Sequence, residues 1–280
     1  MQAKLKGGKG VDNKKKIFPG LLIGALVYLI FTVYSLVSIM FFGAAQDGLS
    51  MAIARFVVGA FGMFAMTKLY GSDFRFKGKD FFKHFFGVAG TFFLLLCVVN
   101  FIKSYIKPDM SFMQGLPALL YMILFMFSVG FYEEVFVRGV LFNTFRNRFG
   151  EGRRGIIMAI IFSAVIFGSV HLINLIFMPN AVMEIISQVF SAMAGGIIFA
   201  SLYYITNNFW FCAVLHGVYD LAGVFWTCFR SQAGGLGVSE GGEYTILHLL
   251  KSQAVWWSFA AIALILLFRE FKRRGIESGT

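Results

Sequence analysis

The chain has 280 residues, of which 58% are hydrophobic and only 14% are charged, and its mean hydropathy is +0.76. Soluble domains carry about 25% charged residues, so this composition excludes an ordinary soluble enzyme and predicts a protein that crosses a membrane several times. The formal net charge of +11 would suggest nucleic-acid binding in a soluble protein, but here the positive-inside rule accounts for it and we predict no nucleic-acid partner.

Apolar stretches of about 20 residues, the length that crosses a bilayer, recur along the chain. They follow residues 1–16, a lysine-rich segment that we interpret as a cytoplasmic leader. The pattern predicts an all-α fold, a polytopic bundle of about eight transmembrane helices. The predicted spans lie near residues 17–42, 50–70, 82–102, 115–145, 154–177, 183–206, 209–229 and 252–271.

The distribution of basic residues predicts the orientation of these spans. If the N-terminus is inside, 19 Lys and Arg residues fall in inner segments and 4 in outer loops. The expected location is therefore the cell membrane, with both termini cytoplasmic. Arg55 lies close to one end of the second span, where we expect its side chain to reach the interface.

The fourth span carries two carboxylates and a guanidinium in the stretch F-Y-E-E-V-F-V-R-G-V-L-F-N at 131–143. Each ionisable residue at membrane depth costs roughly 2.5–3.5 kcal/mol and usually marks function. Glu134 and Arg138 are four residues apart, so they can pair on one helix face. Glu133 is turned about 100° away from that face, which leaves it free for proton chemistry.

Two of the four histidines lie well inside predicted spans, His171 in the fifth and His216 in the seventh. Asp220 follows His216 by four residues and shares its helix face. Polar groups in a membrane bundle turn inward, so one buried cluster is the simplest arrangement. The groups clearly away from span ends are Glu133, Glu134, Arg138, His171, His216 and Asp220.

Two chemistries suit this cluster, and the residues alone do not separate them. In the first, Glu133 and His171 polarise a water that attacks a peptide carbonyl, while His216 stabilises the oxyanion and Asp220 orients His216 or donates when protonated. In the second, two histidines and a carboxylate bind zinc and leave one position for water. The candidate ligands would be Glu133, His171, His216 and Asp220.

Nucleophilic and thiol chemistries are less well supported. Ser169 is near His171, but no G-x-S-x-G elbow is present, and no H-E-x-x-H zincin pattern occurs. The three cysteines match no zinc or disulfide spacing, so we interpret them as small buried residues. They are Cys97, Cys212 and Cys228.

Three motifs carry a family resemblance. The stretch E-E-V-F-V-R-G at 133–139 resembles the E-E-x-x-x-R-G signature of the CAAX protease and bacteriocin-processing family, also called the Abi family. F-G-S-V-H at 167–171 is similar to its second motif, F-x-x-x-H. H-G-V-Y-D at 216–220 is similar to its third, H-x-x-x-N, with Asp220 where asparagine is usual. The resemblance covers about residues 115–230.

The resemblance implies an eight-helix intramembrane endopeptidase related to the type II CAAX prenyl protease, which acts on a membrane-associated peptide or protein, with or without a lipid anchor. By this resemblance, Glu133 and His171 activate water, His216 and residue 220 form the oxyanion site, and Glu134 and Arg138 support Glu133. Family members are described both as glutamate-dependent and as metalloproteases, so the cofactor stays undecided between none and zinc. The aspartate at 220 slightly favours a metal.

The resemblance also divides the chain into four parts. Residues 1–16 form the leader, 17–112 the N-terminal helices, 113–230 the catalytic core, and 231–280 an outer loop, the last helix and a basic tail. Prokaryotic relatives are linked to bacteriocin self-immunity, so a non-proteolytic immunity or scaffold protein is the alternative. A proton-relaying transporter is a third class, but no broken-helix pair or inverted repeat is evident.

The predicted boundaries place the three catalytic segments at unequal depths. Glu133 and His171 lie roughly 20 and 26 Å from the inner boundary, and His216 only about 9 Å. Straight helices would not bring them together, so we expect the fourth or fifth helix to extend beyond the membrane or the seventh to begin deeper. A shared site then falls within the cytoplasmic half to the middle of the bilayer.

Overall fold

The computed structural model describes residues 17–42, 48–231 and 245–276. All regular elements in these ranges are helices, so the all-α prediction is confirmed. The predicted leader at 1–16, most of the predicted outer loop and the last residues of the tail lie outside the described residues. Within the described ranges, seven helices are long and apolar enough to cross a membrane, or eight if one bent pair forms a single span.

The described part of the chain contains α-helices, one π-helical segment and two 3-10 turns. In chain order they are α1 (Ile17–Phe42), α2 (Gly48–Tyr70), α3 (Gly78–Phe85), α4 (Val88–Lys103), α5 (Phe112–Glu134), a π-helical segment (Val135–Phe142), α6 (Asn143–Phe149), α7 (Arg153–Val170), a 3-10 turn (His171–Ile173), α8 (Asn174–Phe177), α9 (Val182–Thr206), α10 (Phe209–Val224), a second 3-10 turn (Phe225–Phe229) and α11 (Ile246–Arg273).

The third predicted span, near 82–102, is formed by two helices with a break between them. Helices α3 and α4 meet at a bend of 60°. The bend brings the start of α4 against the end of α3, where a Cβ at Gly90 would lie 1.9 Å from the carbonyl oxygen of Phe85. Only glycine fits such an approach. This single break is not the pair of broken helices typical of a transporter, and it carries none of the buried ionisable cluster.

The fourth span is a continuous helical rod from Phe112 to Phe149, through α5, the π-helical segment and α6. Its 38 residues extend about 57 Å, nearly twice the thickness of the hydrocarbon core. The rod is therefore long enough to extend well beyond a bilayer. An extended fourth helix was one of the expected explanations for the unequal depths of the site residues. π-helical turns inside α-helices are frequent at functional sites, and this one begins directly after Glu134.

Helices α5 and α10 cross at two glycines. A Cβ at Gly130 would lie 2.6 Å from the backbone nitrogen of Gly217, and a Cβ at Gly217 would lie 3.0 Å from Phe127 Cα. The first residues of α10 pack beside Phe131, whose ring lies 5.7 Å from that of Trp210. Since the rod continues 18 residues past Phe131, roughly 27 Å, α10 begins deep relative to the end of α6.

The remaining helices hold this crossing in place. Helix α9 packs against both α7 and α11, and Gly196 allows α9 to approach within 2.8 Å of Ala164 on α7, measured from an added Cβ. On the opposite side, α4 is hydrogen-bonded to α10. The Asn100 side-chain amide donates to the Tyr219 carbonyl at 3.0 Å, and Ser104 donates to the Ala222 carbonyl at 2.9 Å.

The close crossing of α5 and α10 gives a first prediction. Gly130→Ala places a methyl group against backbone atoms that cannot rotate away, so we expect destabilisation by about 1–3 kcal/mol. Thermal unfolding of the purified protein in detergent measures it. Gly24→Ala in α1 is the matched control, because its Cβ would meet only side-chain atoms at 3.4 Å. Equal midpoints for the two variants would contradict the packing account.

Candidate active site

The Glu134–Arg138 ion pair lies at the centre of the bundle. Both side chains are fully buried, and the Arg138 Nε and Nη2 groups donate to the two Glu134 oxygens. The Arg138 guanidinium also faces two rings, at 5.7 Å from the centroid of Phe167 and 5.1 Å from that of Phe199. The structure therefore contains the ion pair that the four-residue spacing predicted.

His216 is held by this pair. Its Nδ1 lies 2.8 Å from Glu134 Oε1, and an ionised carboxylate can only accept, so Nδ1–H donates. The imidazole ring stacks on Phe199 with centroids 4.7 Å apart. These two contacts fix the direction of Nε2, the nitrogen that remains for chemistry. The resemblance assigned Glu134 and Arg138 to the support of Glu133, whereas Glu134 directly contacts His216 and Arg138 contacts Glu134.

The other two carboxylates face His216 from its Nε2 side. Glu133 Oε2 is 3.5 Å and Asp220 Oδ2 is 3.8 Å from Nε2. The side chains of Glu133 and Asp220 keep 24% and 22% of their exposure, whereas Glu134 has none. The neighbouring glutamates therefore have different environments, one locked in an ion pair and the other open to a cavity.

His171 begins the 3-10 turn that ends α7. Its Nδ1 is 2.8 Å from the carbonyl oxygen of Phe167, which accepts the hydrogen bond. In the neutral ring the lone pair is then on Nε2, which makes this nitrogen the available base. The change from α-helix to 3-10 turn occurs at His171. At this position the side chain lies in the wall of both cavities that Glu133 also lines.

Two cavities meet at Glu133 and His171. The larger, about 430 Å³, lies among α4, α5, α7, α9, α10 and α11 and also contacts His216 and Asp220. The smaller, about 250 Å³, lies among α1, α2, α5 and α7. Phe167 lines both as well. The four sequence-predicted catalytic side chains therefore come together at one place, and two of them, Glu133 and His171, line both cavities.

The described residues do not fit the zinc alternative. Among them, no group of three or more His, Cys, Asp or Glu side chains is arranged to hold a metal ion. The thiols do not add ligands, because Cys97, Cys212 and Cys228 are buried and free, as predicted. Ser169, the candidate for a serine route, is exposed on the surface of α7.

Sequence reasoning missed Arg55, for which it predicted an interfacial position. The guanidinium turns inward between two rings, 5.0 Å from the centroid of Phe31 and 4.5 Å from that of Phe125. It lines the smaller cavity together with Glu133 and His171. The position near a helix end concealed this, because an arginine there reaches either the interface or the interior with similar ease. Its apolar flanks on both sides were the available signal.

The different environments of the two glutamates give a second prediction. Glu134→Gln leaves the Arg138 charge buried without its partner, so we expect a loss of about 3–5 kcal/mol in unfolding free energy. Glu133→Gln keeps the shape of a partly exposed side chain, so we expect a change below about 1 kcal/mol. Denaturant or thermal unfolding in one detergent measures both. Similar losses for the two variants would contradict the assignment of Glu134 as the structural member.

The comparisons with known proteins agree with the motifs. Residues 115–222 match the family model described as type II CAAX prenyl endopeptidase, Rce1-like. This range contains all six residues of the buried cluster, and it confirms the resemblance to the CAAX protease family. No curated protein and no solved structure matches the chain.

Proposed function

Because residues 115–222 form an Rce1-like domain of the CAAX protease family, we propose that this protein is an intramembrane endopeptidase that hydrolyses a peptide bond with a water activated by Glu133 and His171. One observation carries the assignment. Glu133 and His171 are the ionisable pair at the junction of the two cavities, and Glu133 is also 3.5 Å from His216. The junction is the place where a bound peptide meets all three groups.

The attack on the carbonyl uses Glu133 and His171 as bases. Glu133 has a carboxylate free of the Arg138 pair, and His171 has its Nε2 lone pair free because Nδ1 donates to Phe167. A water held between them loses a proton as its oxygen attacks the carbonyl carbon. The same proton then passes to the leaving nitrogen, and the C–N bond breaks. The products are a carboxylic acid, which then loses the second proton of the water to become a carboxylate, and an amine.

His216 is the proposed oxyanion donor. With both ring nitrogens protonated, it donates from Nδ1 to Glu134 and from Nε2 towards the reacting oxygen. Asp220 lies 3.8 Å from Nε2, and an ionised carboxylate cannot itself donate. We therefore assign oxyanion stabilisation to His216 and the orientation of His216 to Asp220, in place of the asparagine that the family usually has.

The substrate class follows from the larger cavity. Its wall combines apolar and aromatic side chains with a few polar ones, inside a bundle of membrane-spanning helices. This lining suits an extended, mostly apolar peptide that enters from the bilayer, with or without a lipid anchor. The basic-residue pattern supports a cell-membrane location with cytoplasmic termini. The family match gives no support to the non-proteolytic immunity or scaffold alternative.

The proposal predicts the effect of Glu133→Gln on catalysis. The variant keeps the size of the side chain and removes the base, so we expect kcat/KM to fall by about 10²–10⁴-fold. Comparative peptide profiling of cells with wild-type and variant protein identifies the substrate, and purified protein in liposomes gives the rate. Glu184→Gln, an exposed glutamate in the first turn of α9, is the matched control. Identical peptide profiles for wild-type and Glu133→Gln protein at equal protein levels would contradict the endopeptidase proposal and support the immunity or scaffold alternative.

A separate prediction concerns the metal. Since the described cluster does not fit zinc, we expect a chelator to change the activity of purified protein by less than about two-fold. The measurement is peptide cleavage before and after incubation with 1,10-phenanthroline, with the non-chelating 1,7-isomer as control. Loss of activity that stoichiometric zinc restores would overturn the metal-independent mechanism.

A further inference from the structure

The smaller cavity contains a buried cation with unused hydrogen-bonding capacity. The Nη1 atom of Arg55 is buried and has no hydrogen-bond partner, and no ion pair to Arg55 forms within 4.0 Å in the described part of the chain. The rings of Phe31 and Phe125 hold the guanidinium plane at 5.0 and 4.5 Å from their centroids. A fixed but unpaired guanidinium in an apolar bundle is costly, which indicates that it has a partner in use.

Several other polar groups of this cavity already have partners. The hydroxyls of Tyr28 and Tyr132 donate to backbone carbonyls at 3.1 and 3.2 Å, and that of Ser35 donates to a backbone carbonyl at 2.9 Å. The Asn174 amide donates to Gln188 at 2.9 Å. Arg55 is therefore the donor that the cavity offers to an incoming ligand. Its planar fork is suited to a carboxylate, which it can bind through two parallel hydrogen bonds.

We propose that Arg55 binds a carboxylate of the peptide substrate, and that this contact positions the peptide for cleavage. The inference rests on the proposed endopeptidase function. Glu133 and His171 line the same cavity as Arg55. A carboxylate bound at Arg55 therefore lies in a cavity that also contains the two proposed bases. Glu133 lines the same cavity, but among the described residues it forms no ion pair with Arg55 within 4.0 Å, and its ion-pair contact within that distance is with His216 Nε2 at 3.5 Å.

The two cavities then give the bound peptide a direction. The part that carries the carboxylate occupies the cavity of about 250 Å³, and the rest of the peptide occupies the apolar cavity of about 430 Å³. The bond at the junction is broken between them. A carboxylate this close to the reacting bond comes either from the C-terminus of the substrate or from an acidic side chain near it. Both sources present the same group to Arg55.

Peptide binding to an inactive variant tests the contact without cleavage. The probe is a library of labelled decapeptides with apolar residues in the last four positions, made as free acids and as C-terminal amides. We expect Glu133→Gln protein in detergent to retain acids over amides by about ten-fold or more, since a charged bidentate contact is lost in the amide. With Arg55→Gln added, we expect the ratio to fall to about one.

Two further variants control this experiment. Arg153→Gln removes a guanidinium that also faces a ring, Phe268 at 4.7 Å, but lies outside both cavities, so the acid preference should persist. Arg55→Lys keeps the charge without the fork, so an intermediate ratio is expected. If the Arg55→Gln protein is not a single species in size-exclusion chromatography, the Arg55→Lys protein is used for the comparison in its place. A third library, amides with one aspartate in the last positions, identifies a side-chain source if it is retained like the acids.

The outcomes separate this inference from the proposed function. Equal retention of acids, amides and aspartate-bearing amides by Glu133→Gln protein, no retention of any of the three, or a preference that Arg55→Gln leaves unchanged would overturn the carboxylate site. If wild-type protein cleaves all three libraries equally, the endopeptidase function stands and the carboxylate site falls. If acids are retained through Arg55 but no peptide is cleaved, the site stands and the endopeptidase function falls.

Discussion

The arrangement of the cluster depends on the buried ion pair of Glu134 and Arg138. Two charges without any exposure are costly unless they pair closely with each other. Here the guanidinium has the carboxylate in its plane and two rings beside it, and the carboxylate has a second donor in His216. Because His216 is part of this network, its free nitrogen is aimed before any substrate arrives.

The network can form only because two helices approach unusually closely. His216 and Glu134 are 82 residues apart in the chain, and the crossing at Gly130 and Gly217 brings their helices within backbone contact. Small residues at a helix interface are the main source of tight packing in membranes, where no hydrophobic effect drives association. The same crossing explains the depths of the site residues, since α10 begins beside Phe131 while the rod continues past it.

Features within one helix could be predicted from the sequence, and features between helices mostly could not. The spacing of Glu134 and Arg138 and that of His216 and Asp220 determine faces of single helices, and both pairs lie as expected. The contact of Glu134 with His216, the break before α4 and the inward turn of Arg55 depend on neighbours that periodicity does not identify. Hydropathy locates the spans along the chain, but it does not determine the depth in the bilayer at which each span begins.

The adjacent positions of Glu133 and Glu134 show how environment separates two identical side chains. Glu134 has no exposure and binds a guanidinium and an imidazole, so its charge is fixed and its oxygens are occupied. Glu133 keeps a quarter of its side-chain exposure, lines both cavities and lies 3.5 Å from its nearest basic partner. A base must exchange protons with water and substrate, and only the second environment permits it. The ion-paired Glu134 therefore holds the cluster in place, and the more exposed Glu133 is the candidate base.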